Sequence, residues 1–156
     1  MIKRKPRHIF IVEDSEVYSM MLDYILSKDS VYNFESFRSG EECLKNIHRN
    51  PAIVILDHGL PGIDGYETLL QIKKHDPSIH VVMLTSNQDK VLEANIIKAG
   101  ADDFVLKQGH GENQIIEKIE DIIDRDMRIA KARKKSRIKK MAYCIIIAII
   151  VAFGFS

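Results

Sequence analysis

Six polar residues stand at the ends of short apolar runs: Glu13 and Asp14 after HIFIV (8–12), Asp57 after AIVIL (52–56), Thr85 and Ser86 at the close of IHVVMLT (79–85), and Lys107 at the close of DDFVLK (102–107). Three carboxylates brought within a few ångströms of one another repel, and their charged forms are disfavoured without compensation. A divalent cation removes the conflict, and an oxygen-only donor set with room for water suits Mg²⁺ better than zinc. A lysine beside them adds a point charge suited to a phosphoryl oxygen, and a threonine hydroxyl adds a hydrogen bond. An aspartate on a loop past a buried strand, next to a metal, can attack phosphorus and form an acyl phosphate. The cation and the lysine would offset charge on the transferring group. These residue types point to phosphoryl transfer onto Asp57, provided that the fold gathers them.

The elements that must gather them alternate along the chain. HIFIV is a β-branched run, and EVYSMMLDYILSK (16–28) places Val17, Met20, Met21, Tyr24 and Ile25 at helical spacing. VYNFESF (31–37) alternates like a half-exposed strand, and Ser39 with Glu42 reads as a capping box before CLKNI. AIVIL is apolar throughout, as a strand buried on both faces should be. The Gly/Pro-rich loop HGLPGIDG leads into the helix YETLLQIKKH; IHVVMLT is a second buried strand, KVLEANIIKAG a helix stopped by Gly100, and DDFVLK a last strand. Five strands alternating with helices and no hairpin signal argue for an α/β fold, a parallel sheet with helices on both faces. Ligands of such sheets bind at the carboxyl ends of the strands, where the six residues lie. A final helix is expected from about Glu112, with Ile115, Ile116, Ile119, Ile122, Ile123 and Met127 on one face.

Charge is unevenly distributed. Residues 1–127 hold 15 basic and all 22 acidic residues, a net of −7; residues 128–140 hold 8 basic residues and no acid, and Met141 to Ser156 carry no charge. Cys43 and Cys144 make neither a disulfide framework nor a zinc pattern, the six histidines lack ligand spacing, and no secretory signal opens the chain.

The motifs IVED, VILDHGLPGIDGYE, VVMLTS and ADDFVLK, in this order, resemble those of the response-regulator receiver domain of two-component signalling, of the chemotaxis-regulator type, over residues 7–127. The resemblance implies a doubly wound, flavodoxin-like sheet of strand order 2-1-3-4-5. It implies Asp57 as the phosphorylated residue, taking its phosphoryl group from a sensor histidine kinase or phosphotransfer protein. Glu13, Asp14 and Asp57 would hold Mg²⁺ with the backbone carbonyl of Gly59. Lys107 and Thr85 would contact the phosphoryl oxygens, and Phe104 matches the aromatic whose rotamer follows the movement of the threonine. An unknown downstream protein would read the helix 4, strand 5, helix 5 face, about residues 89–125. Where the family usually has proline after the lysine, this chain has Gln108 and then GHG. Gly59 and Asn87 stand at positions resembling those that tune dephosphorylation.

The uncharged tail, residues 141–156, reads as a C-terminal membrane anchor behind a basic juxtamembrane segment, residues 128–140. Met141 to Phe155 is 15 residues, about 22 Å as a helix against about 30 Å of hydrocarbon. Its five Ile, one Val and two Phe favour insertion by about 4 kcal/mol at roughly 0.5 kcal/mol each. Apolar residues all round fit neither an amphipathic surface helix nor a two-stranded seam, and the basic strip favours a cytoplasmic, anionic-lipid side of a bacterial membrane. The alternative is a helix packed on a second copy or on another domain. The expected function is a phosphorylatable switch, a single receiver without an output domain, tethered to the membrane; the alternative is an unphosphorylated docking or scaffold module of a membrane signalling complex. No catalysis beyond its own phosphorylation and dephosphorylation is expected. A phosphatase of the haloacid-dehalogenase type would want a second aspartate where Gly59 stands. Nucleic acid is not an expected partner, since no helix-turn-helix follows and the basic strip is short. His58 reads as solvated loop, and Cys43 as core.

Overall fold

The computed structural model describes residues 7–28, 32–108 and 111–154. Strands β1 (Arg7–Val12), β2 (Tyr32–Phe37), β3 (Ile53–Asp57), β4 (His80–Thr85) and β5 (Asp103–Leu106) alternate with helices α1 (Glu16–Ser27), α2 (Gly40–Asn46), α3 (Gly65–His75), α4 (Lys90–Lys98) and α5 (Gly111–Phe153), with one 3₁₀ turn at Ile47–Arg49. The strands form one parallel sheet in the order β2-β1-β3-β4-β5. Fold class and strand order are those expected from the sequence.

Strand residues alternate between the two faces of a sheet, and both faces here are apolar. Phe10, Val12, Val54, Leu56, Val81 and Met83 form one core with Cys43 of α2, Leu69 and Ile72 of α3 and Ile96 of α4. Ile9, Ile11, Ile53, Ile55 and Leu84 are equally buried, as are Leu22 and Leu26 of α1 and Ile115 and Ile119 of α5. This two-sided burial explains why β3 and β4 read as unbroken apolar runs.

Several details differ from the sequence expectation. Val17, Met20 and Tyr24 do not pack inward: they are 80%, 65% and 64% exposed, and α1 buries Leu22, Ile25 and Leu26 instead. Apolar residues cover most of the circumference of α1, so periodicity alone does not select its inner face. Helix α3 starts at Gly65, with Asp64 capping Glu67 N–H at 2.8 Å, rather than after the glycine loop. The Ser39 cap on Glu42 N–H (3.2 Å) is present, but the reciprocal carboxylate reaches Arg38 N–H (3.0 Å), one residue before the cap. Val31, Gly109, His110, Phe155 and Ser156, placed in a strand, a loop and the tail by sequence, lie outside the described residues.

The chain divides into two units between Ile119 and Glu120. In the second, Ile122 and Ile123 are buried and Met127 is 37% exposed. Beyond it every residue to Gly154 is exposed, the basic strip and the apolar stretch alike. Among the described residues no helix is long and apolar enough to cross a membrane, so the expected single-pass span is not found. The uncharged helical stretch Met141–Phe153 reaches only about 20 Å, and Arg137, Lys139 and Lys140 precede it directly.

Candidate functional site

Strand register assembles the site. Val12 pairs with Leu56, Asp57 with Leu84, and Thr85 with Leu106, so Glu13, Asp57, Thr85 and Lys107 all emerge at the carboxyl edge of four adjacent strands. The ladder continues one step past the strands: Glu13 N–H donates to Phe37 O (3.0 Å), His58 N–H to Leu84 O and Lys107 N–H to Thr85 O (both 2.9 Å). These bonds fix the backbone at each functional position. Lys107 thus lies just beyond β5, and the Lys107–Gln108 peptide is trans.

The Lys107 ammonium bridges two buried carboxylates. Its Nζ is 2.8 Å from Asp57 Oδ2 and 2.6 Å from Glu13 Oε2. The Glu13 contact is an ion pair made at a fully buried carboxylate oxygen. Glu13 Oε1 accepts Ser15 N–H (3.1 Å), and Asp57 Oδ1 accepts Gly59 N–H (3.2 Å). Burial raises the Glu13 pKa above its ordinary value and the Asp57 charge adds to the rise, which the Lys107 and Ser15 contacts do not cancel. Burial works against the Lys107 ammonium, but Asp57 and Glu13 outweigh it and its pKa also lies above the usual value. The site is therefore a cation held by two anions at low solvent exposure.

The expected cation ligands converge. Oxygens of Glu13, Asp14 and Asp57 all lie within 4.8 Å of one another, with Glu13 and Asp57 buried and Asp14 exposed. An all-oxygen set with one solvated carboxylate fits a small hard cation. Gly59 adjoins the set, touching Asp57 through its N–H. Thr85 is buried, and its hydroxyl accepts Asn87 N–H at 3.1 Å, turned toward the β4–α4 loop. Asp57, His58, Gly59, Thr85, Ser86, Asn87 and Lys107 line a cleft of about 400 Å³ open to solvent. Phe104 is half-buried against the core.

Two further residues shape the site and were not picked out by the sequence reading. Gly65, read only as part of a loop, brings α3 against the acceptor strand: a Cβ there would lie 2.6 Å from His58 Cα and 2.8 Å from the Asp57 carbonyl carbon. Tyr18 places its ring 4.8 Å from Lys107 Nζ. Its place in α1, four residues after Asp14, is the only sequence signal for either.

The sheet, the acidic set and the bridging lysine define a signalling domain of the receiver class. The chain belongs to the response regulator receiver domain family, whose sequence pattern matches residues 9–120. Such domains are typically non-enzymatic modules of phosphorylation-based two-component signalling, served by histidine kinases or phosphotransfer proteins. Among the relatives, chemotaxis protein CheY of Listeria monocytogenes serovar 1/2a is 35% identical over 103 residues, 64% of this chain and 84% of that protein. Transcriptional regulatory protein CssR of Bacillus subtilis (strain 168) is 29% identical over 99 residues, 64% of this chain and 44% of that protein. The chain spans less than half the length of the transcriptional regulators it matches. Among solved structures, the BeF₃-activated DrrB receiver domain is 26% identical with a TM-score of 0.69, covering 76% of this chain and 97% of that one.

Proposed function

We propose that this chain is a switch operated by phosphorylation of Asp57, with the phosphoryl group supplied by a histidine kinase or phosphotransfer protein. The observation that carries the reading is the Lys107 ammonium held 2.8 Å from Asp57 Oδ2 in an open cleft. An Asp57 carboxylate oxygen attacks phosphorus, the P–N bond to the donor's imidazole breaks, and the imidazole leaves with that electron pair. Lys107 shifts from the carboxylate to a phosphoryl oxygen, and the Thr85 hydroxyl turns from Asn87 to bond another. Glu13, Asp14, Asp57 and the Gly59 carbonyl are the groups that would hold Mg²⁺, which when bound offsets charge on the transferring group. The relationship to a receiver domain activated with BeF₃ supports the same site. Exposed Val17, Met20 and Tyr24 on α1, beside the acidic end of the site, offer an apolar surface for a helical donor; α4 and β5 would face a downstream protein. Acetyl phosphate and Mg²⁺ should add one phosphoryl group to the wild type and none to Asp57→Asn, read by intact mass. Equal labelling of both proteins would refute the assignment.

The tail supports a second element of the reading, peripheral attachment to an anionic cytoplasmic membrane surface. Met141, Tyr143, Ile145, Ile146, Ile147, Ile149, Ile150, Val151 and Phe153 are 43–77% exposed and surround the helix, and the eight basic residues of 128–140 precede them. Such a segment inserts part-way into the lipid while its lysines stay at the headgroups. The full chain should sediment with vesicles containing phosphatidylserine, and a chain ending at Arg128 should not. If both remain in the supernatant, the attachment reading is wrong.

A further inference from the structure

Lysine is a flexible side chain with a compact charge, and at this site it must stay near Asp57 while both carboxylates compete for it. Two of its neighbours are those carboxylates; a third is the ring of Tyr18, 4.8 Å from Nζ, within the range of a cation–π contact. The ring is held by the site itself. Glu13 Oε1 accepts Ser15 N–H at 3.1 Å, Ser15 Oγ accepts Tyr18 N–H at 3.4 Å as the cap of α1, Tyr18 faces Lys107, and Lys107 returns to Glu13 Oε2 at 2.6 Å. The contacts close a circuit from the acidic pair through the first turn of α1 to the lysine and back. We propose that Tyr18 is a positioning residue for phosphoryl transfer, its ring face holding the Lys107 ammonium where it meets both Asp57 and the incoming phosphoryl oxygens.

This inference rests on the reading of Asp57 as the acceptor. The ring, rather than the hydroxyl, is the working group, so Tyr18→Phe should keep the effect and Tyr18→Leu, apolar but without a π face, should lose it. A cation–π contact of about 0.5–2 kcal/mol corresponds to a labelling rate about twofold to thirtyfold lower, at about 1.36 kcal/mol per tenfold. The rate with acetyl phosphate and Mg²⁺ is followed by intact mass for wild type, Tyr18→Phe and Tyr18→Leu. A second measurement needs no cation and no phosphoryl donor: the Lys107 Hε protons should show an upfield ring-current shift in wild type and Tyr18→Phe that vanishes in Tyr18→Leu. Tyr18→Met serves in place of the leucine variant should that one not fold. A Tyr18→Leu rate equal to wild type overturns the proposal, as does a Tyr18→Phe rate as low as that of Tyr18→Leu or an unshifted Lys107 Hε resonance in wild type. Failure of the wild type to label at all sinks the acceptor reading, and this proposal with it. A labelled wild type with an indifferent Tyr18→Leu sinks this proposal alone.

Discussion

Replacing Gly65 by alanine tests the seating of α3 on the acceptor strand. The added methyl would lie 2.6 Å from His58 Cα and 2.8 Å from the Asp57 carbonyl carbon, with the Asp57 carbonyl oxygen closer still. Carbon atoms in contact normally sit about 3.5–4.0 Å apart, so either α3 or the end of β3 must move by about 1 Å. Every atom met is backbone, and no rotamer change relieves the overlap. Gly65 N–H donates to His58 O at 3.1 Å, and Leu69 and Ile72 further along α3 are fully buried, so the helix cannot slide away freely. Overpacking of this kind costs about 1–3 kcal/mol, against which alanine gains up to about 1 kcal/mol of helix propensity over glycine. Net destabilisation should therefore be modest, up to about 2 kcal/mol. The effect on chemistry should be larger, because a 1 Å misplacement of a reacting group costs about a hundredfold in rate. Urea denaturation gives the first quantity and acetyl phosphate labelling the second. A Gly65→Ala protein as stable as wild type and labelling within twofold of its rate would refute the reasoning.

Three other outcomes are expected. Burial pushes the Cys43 thiol up to about 12, while Cys144 is exposed, so maleimide in native buffer should modify Cys144 alone and both cysteines after denaturation; native labelling of Cys43 would contradict the packing. Asp102 accepts Val81 N–H (3.0 Å) and contacts His80 Nδ1 (2.7 Å) and Lys73 Nζ (3.5 Å); burial pushes its pKa up, but these partners win and hold it below its ordinary 3.8. A depressed carboxylate stabilises the fold above its unfolded pKa and loses that contribution as pH falls through the folded one, so Asp102→Ala should cost about 1–3 kcal/mol at neutral pH, a deficit that shrinks below about pH 4; a deficit unchanged into that range would count against the ion pairing. Mg²⁺ at a hundredfold over its dissociation constant should stabilise the protein against urea by about 2.7 kcal/mol, the gain should be reversed by EDTA and weakened in Asp14→Asn, and an indifferent wild type would rule out the oxygen cluster as a cation site.

Much of the fold was legible because local patterns sufficed for it. β3 and β4 are apolar throughout because helices cover both faces, and the Ser39 cap read from the sequence acts within three residues of itself; the Ser15, Asp64 and Asp89 caps, equally local, are seen only in the structure. The inner face of α1 was not legible: with Met20, Met21, Leu22, Tyr24, Ile25 and Leu26 clustered on one helix, several stripes are equally apolar. Only packing on the sheet decides that Leu22, Ile25 and Leu26 go in and Met20 and Tyr24 stay out. The shortness of the tail was legible as well: Met141 to Phe155 is 15 residues, short of a bilayer span by length alone, and among the described residues no helix is long and apolar enough to cross a membrane.

The candidate site divides along the same line. Residue type and position at strand ends were enough to nominate Glu13, Asp14, Asp57, Thr85 and Lys107, because the chemistry of an oxygen cluster beside a lysine is a property of those side chains. Their convergence depends on register: Val12 opposite Leu56 and Thr85 opposite Leu106 are set by the whole ladder, not by any one strand. Tertiary structure alone decided that the Lys107 ammonium bridges Glu13 and Asp57, that Tyr18 lies over it, and that Gly65 leaves room for α3 against Asp57. Such contacts join residues far apart in the chain, and no local periodicity encodes them. The side-chain types along the chain set which groups are available for phosphoryl chemistry; the packed sheet sets their distances, and with them which groups can act together.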